Sequence, residues 1–148
     1  LGVPEDAVVG RGAGADAAAL LRKRAVVDEA LARHAEAVAS ADSAAILAAP
    51  GGLEFSFMAG AIRRAAERRV PVLLDGFATG VAALAAVRAD PWVAEFLLAG
   101  HRSAEPGHGA ILTELGLDGI VSGVLGMLAL SPSQKADLDA CVTRLLNP

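Results

Sequence analysis

Cysteine, aromatic residues and lysine are scarce in this chain, and each scarcity narrows what the chain can be. Its single cysteine, Cys141, cannot form an internal disulfide, so the fold must hold by packing, and a reducing, cytoplasmic setting is expected. Aromatics make up only 3%. The core must then be built from alanine, valine and leucine, and alanine at this level favours helices. No charge-free apolar run reaches the roughly 18 residues of a membrane span; the longest, Ile120 to Leu130, is too short. No signal-peptide pattern follows Leu1. A basic excess is also missing. The net charge is −4, which argues against a nucleic-acid scaffold. There is no nucleophile elbow, no Walker loop, no paired catalytic carboxylates, no internal repeat and no low-complexity segment.

What is present is enough apolar material for a sizeable core. With 148 residues, 54% hydrophobic and 20% charged, the chain has the balance of one folded domain rather than a disordered one. Ala7 to Gly10 reads as a short strand, leading into Gly10, Gly12 and Gly14 and a helix capped by Asp16. That helix runs on to about His34 to Val38. Asp42 or Ser43 opens a short helix through Ala48, broken by Pro50-Gly51-Gly52. Leu53 to Arg69 is the strongest helix, with Leu53, Phe57 and Ala61 stepping by four, as do Met58 and Ile62. Val70 to Leu74 is a continuous apolar run, consistent with a buried parallel strand, and Thr79 to Val87 a following helix. Phe96 to Leu98 is a second strand, and Pro106 stands in the first turn of a helix to about Leu115. Ile120 to Leu130 is helical or strand-like, and a last helix follows Ser131 or Ser133. Helices alternating with short apolar strands predict an α/β fold: a single domain with a mainly parallel sheet flanked by helices.

Two strands end in polar clusters, Asp75-Gly76 and His101-Arg102-Ser103. Open parallel sheets bind ligands beyond the carboxyl ends of their strands. If the two strands are neighbours, Asp75 can accept from a sugar diol, Gly76 lets the chain approach a ligand, and Ser103 and Glu105 add polar contacts. A plain turn at Asp75-Gly76 and a capping Ser103 explain the same residues. The Gly10-x-Gly12-x-Gly14 loop before a helix can cradle phosphate on its N–H groups. It lacks the third glycine of the dinucleotide fingerprint, and Asp16 at the helix start repels anions. Lys23, about two turns in, leans back toward the loop because helical side chains tilt N-terminally; a tight turn and a solvated lysine is the other reading. His101 and His108 flank Glu105, but zinc sites need three or four ligands and the chain is poor in them. No metal and no cofactor is expected, and His108 reads as a helix-face histidine.

Four stretches, taken in order, resemble one family: Val8 to Gly14 (VVGRGAG) with Arg22 to Val27 (RKRAVV); Gly51 to Glu54 with Ala59 to Ala61; Val70 to Phe77 (VPVLLDGF); and Ala99 to His108 (AGHRSAEPGH). Their order and spacing are similar to the nicotinate-nucleotide:dimethylbenzimidazole phosphoribosyltransferases, over roughly residues 4 to 130, and look like the C-terminal portion of that enzyme. The tail, 131–148, diverges. The resemblance implies a Rossmann-like sheet within a larger family domain, and a homodimer. Its activity is transfer of phosphoribosyl from nicotinate mononucleotide to 5,6-dimethylbenzimidazole, giving α-ribazole phosphate and nicotinate for the lower ligand of cobalamin. Taken with the spacing, it puts Gly10, Gly12 and Lys23 at the phosphate, and Asp75, Gly76, Ser103 and Glu105 on the ribose and nicotinate side.

Two departures stand out. The family's general-base glutamate falls at Ala129, and loss of such a base costs about 10²–10⁴ in rate. The family's N-terminal half, with the benzimidazole pocket and a second glutamate, has no counterpart here. By this reading the chain alone is a poor catalyst. It belongs to a protein with further segments, is half of a split enzyme, or is a degenerate homologue that binds a nucleotide or a partner without turnover.

Overall fold

A computed structural model describes residues 2–4, 7–12, 14–117 and 119–121. Ala129 and the helix expected after Ser131 lie outside these residues. The described elements are α1 (Ala17–Arg33), α2 (Ala35–Ala39), α3 (Ser43–Ile46), α4 (Leu53–Glu67), β1 (Val72–Leu74), α5 (Phe77–Ala89), β2 (Leu97–His101), α6 (Pro106–Leu115) and β3 (Gly119–Val121). The protein is mostly helical with a small parallel sheet in the order β1-β2-β3. Val72 lies opposite Leu97 and Leu74 opposite Ala99, and Ala99 opposite Gly119. The α/β reading therefore holds: β1-α5-β2-α6-β3 is two consecutive strand–helix–strand units, in which a helix must bridge parallel neighbours.

The core is alanine-rich, as the lack of aromatics required. Ala59, Ile62 and Ala66 of α4 meet Ala82, Ala83 and Ala86 of α5, with Leu74, Val93, Leu97, Ile111 and Leu115 around them. Short side chains let α4 and α5 approach closely, and the contact is tiled by backbone and methyl groups. α5 lies between α4 and α6 and packs against both. By contrast, α1 has no buried residue along its 17 positions, and Leu21 and Val26 are about two-thirds exposed.

Four expectations need correction. Ala7 to Gly10 forms no strand: the Ala7 N–H donates to Pro4 O at 3.0 Å, closing a turn, and among the described residues Val8 to Gly10 joins no ladder. Pro50 does not break its helix. Lacking an N–H, it sits in a π-helical turn, Leu47–Gly51, where the Gly52 N–H reaches past it to Leu47 O at 3.1 Å. The break falls at Gly52. The Leu53–Phe57 row of α4 faces outward, with Leu53 86% and Phe57 77% exposed; of the second row, Ile62 lies on the core face, with Ala59 and Ala66 beside it. Finally, β1 is buried on one face only: Leu74 is enclosed while Leu73 is 65% exposed.

Candidate functional site

β1 and β2 are adjacent and parallel, so the segments that follow them leave the sheet at the same end. His101 Nδ1 lies 3.8 Å from Asp75 Oδ1, and the Asp75 carboxylate is almost wholly exposed. Gly76 caps α5: its N–H donates to Thr79 Oγ1 at 3.0 Å, and that hydroxyl donates back to Gly76 O at 2.9 Å. Ser103, two residues beyond β2, does the turn-holding work. Its hydroxyl accepts from the Glu105 N–H at 3.2 Å.

A second group gathers around the glycine loop. Asp16 caps α1 as the sequence predicts, accepting from the Ala19 N–H at 2.7 Å. Lys23 leans back past the start of α1 and donates to Arg11 O at 3.1 Å. The Gly12 N–H donates to Glu105 Oε1 at 2.8 Å. A cavity of about 910 Å³ opens here, lined by Gly10, Gly12, Lys23, Phe77 and Glu105, with valines from the loop and from α1. The structure thus brings together Gly10, Gly12 and Lys23, expected as a group, and adds Glu105. Asp75, Gly76 and Ser103 do not line this cavity; they stand beyond the Phe77–Ala78 wall, at the strand ends.

The loop and the start of α6 touch because two residues have no side chain. A β-carbon on Gly10 would lie 2.7 Å from Pro106 Cδ and closer still to the Glu105 carboxylate, and one on Gly107 would lie 2.8 Å from Phe77 Cε2 and 3.3 Å from Val8 Cβ. A side chain at either position would clash, so the loop, Phe77 and the start of α6 lie this close only because both residues are glycine.

His108 is the residue that sequence reasoning undervalued. It lies on α6 but is 1% exposed, and its Nδ1 accepts from the Ser103 N–H at 2.8 Å. Burial holds its pKa below the ordinary 6.5, and the charges of His101 and Arg102 push the same way against Asp75. The available signal was its spacing: His108, Ile111, Leu112 and Leu115 form the buried stripe of α6. Among the described residues, no three His, Cys, Asp or Glu side chains gather into a metal-binding group. None of the described helices is long and apolar enough to cross a membrane.

The arrangement offers the Lys23 ammonium, a second cationic residue, Arg22, and a loop N–H along an apolar cavity, with a carboxylate on that N–H. It suits a ligand with an anionic end and a flat apolar body.

Comparison with known proteins gives this geometry a lineage. The family model described as DBI_PRT, Phosphoribosyltransferase, matches residues 1–128. A protein of Bradyrhizobium diazoefficiens named nicotinate-nucleotide–dimethylbenzimidazole phosphoribosyltransferase is 48% identical over 122 residues, 82% of this chain and 34% of that protein. This chain belongs to that phosphoribosyltransferase family. The matched stretch is the N-terminal portion of this chain, not its C-terminal end. A family member of the same name from Desulforudis audaxviator is 46% identical over 85% of the chain and 35% of its own length. Among solved structures of the family, CobT from Thermus thermophilus is similar with a TM-score of 0.76 and 34% identity, covering 98% of this chain and 43% of that one. The chain spans about a third of the length of these curated relatives.

Proposed function

We propose that this chain forms the nucleotide-holding part of an enzyme that transfers phosphoribosyl from nicotinate mononucleotide to 5,6-dimethylbenzimidazole, releasing nicotinate and giving α-ribazole phosphate for the lower ligand of cobalamin. The observation that carries this reading is the convergence of the Lys23 ammonium and the Gly12 N–H on one cavity. In this reading the phosphate takes the Gly12 N–H in place of the Glu105 carboxylate, because one donor does not serve two anions. Glu105 is then released toward the ribose side, with Asp75, Gly76 and Ser103 at the strand ends. Breaking the bond from the ribosyl carbon to nicotinate builds positive charge on the sugar. A rigid phosphate anchor and a nearby carboxylate both help there, through positioning and electrostatics. The proton of the attacking benzimidazole has no acceptor in this reading of the chain, since Ala129 stands at the family's glutamate position; the remainder of the family's length is expected to supply one. The same reading takes the chain as part of a Rossmann-like domain with a divergent tail at 131–148, and a cytoplasmic homodimer as the working unit.

Nicotinate released on mixing the chain with nicotinate mononucleotide and 5,6-dimethylbenzimidazole is the direct test. Release supports the enzyme reading for the chain alone. No release, with thermal stabilisation by nicotinate mononucleotide, supports a binding module, the reading that Ala129 favours. The absence of both would refute the nucleotide site.

A further inference from the structure

We propose that His108 is a positioning residue: its neutral imidazole, by accepting the Ser103 N–H, sets the 103–108 turn that aims Glu105 at the Gly12 N–H, and so fixes the glycine loop from a distance. The hydrogen bonds form a continuous series. The Ser103 N–H donates to His108 Nδ1 at 2.8 Å. The Glu105 N–H donates to Ser103 Oγ at 3.2 Å, and the His108 N–H donates to Glu105 O at 3.0 Å. Pro106 stiffens the turn between them. From this knot the Glu105 side chain reaches a residue 93 positions earlier, accepting from the Gly12 N–H at 2.8 Å.

The protonation state matters because an imidazole can accept at Nδ1 only when that nitrogen carries no proton. A protonated His108 would turn a donor toward the Ser103 N–H and break the first link. Burial and the two neighbouring cationic side chains oppose that. The ring is 1% exposed and packs beside Gly80. The charged and titratable groups that face it are His101 and Arg102, which oppose a positive ring, and Asp75, which favours one more weakly.

The consequence for ligand binding rests on the reading of Gly12 as a phosphate donor; the relay itself does not, and its test needs no ligand. The measurement is amide exchange at Ser103 and Gly12 in the full chain by NMR. His108→Ala is expected to speed exchange of both amides by about tenfold or more, the equivalent of one lost hydrogen bond. His108→Asn, whose side-chain oxygen stands near the place of Nδ1, is expected to restore both. Glu105→Ala is expected to free Gly12 and leave Ser103 protected, which gives the relay its direction. In the wild type, exchange at Gly12, corrected for its intrinsic pH dependence, is expected to rise as pH falls through the His108 pKa, which burial holds below the ordinary histidine value. That step should vanish in His108→Asn and persist in His101→Gln. Gly12 exchange unchanged in His108→Ala, no restoration by asparagine, or a pH step that follows His101 would each overturn the proposal. Failure of nucleotide binding with the relay intact would count only against the phosphate reading.

Discussion

Replacing Gly10 with alanine is expected to destabilise the protein by roughly 1–3 kcal/mol and to abolish stabilisation by nicotinate mononucleotide. The same change at Gly60 is expected to leave binding alone and add up to about 1 kcal/mol. The opposite signs come from what each new methyl meets. At Gly10 it would lie 2.7 Å from Pro106 Cδ, an atom fixed in a ring at the start of α6, and it would evict the Glu105 carboxylate from its place. The loop must then retreat, carrying Gly12 away from Glu105 and from Lys23. A displacement on the order of 1 Å in a positioning element is enough to cost about 10² in rate where chemistry depends on it. At Gly60, inside α4, nothing lies within 4 Å of the added carbon, so alanine brings only its better helix propensity. Paired melting curves with and without nucleotide check both. Equal melting points for Gly10→Ala and wild type would show that the loop does not rest on α6.

Lys23→Ala is expected to weaken nicotinate mononucleotide binding by about 10- to 100-fold, the range of a hydrogen bond to a charged group, while moving the melting point little. The side chain is exposed and its one hydrogen bond, to Arg11 O at 3.1 Å, is local, so the free protein loses little. Lys23→Arg keeps the charge but not the point-like ammonium and is expected to recover only part of the loss. Binding to the wild type should fall with added salt more steeply than binding to Lys23→Ala. Calorimetric titration of both variants at two salt concentrations decides it, and unchanged affinity in Lys23→Ala would remove this residue from the site.

The parts of the fold that were legible in the sequence are those written in local signals. Pro106 at the first turn and the apolar runs before Asp75 and Gly100 placed α6, β1 and β2, because turn chemistry and unbroken hydrophobicity are short-range properties. Asp16 was legible as a cap for the same reason. The strand read at Ala7 to Gly10 was not sound: an apolar run becomes a strand only beside a partner, and among the described residues there is none. The outward row of Leu53 and Phe57 was misleading because α4 meets its neighbour through alanines, which carry little pattern. The placing of Glu105 beside Gly12 could not be read from spacing, since 93 positions separate the two and only the close approach permitted by Gly10 and Gly107 joins them. His108 was visible as a residue but not as an acceptor: its role lies in which atom faces the Ser103 N–H, and composition says nothing of that.

Helix α1 has a further bearing on any ligand that Lys23 grips. With no buried side chain, it draws little from tertiary packing, and at 17 residues it is only just long enough to be stable by its own ladder. Should such a helix lift away, the binding-competent molecule would be only the fraction in which it is docked. Observed affinity is the intrinsic affinity scaled by that fraction. A partner surface that clasped Leu21, an exposed apolar position of α1 away from the cavity lining, would raise affinity without touching the ligand.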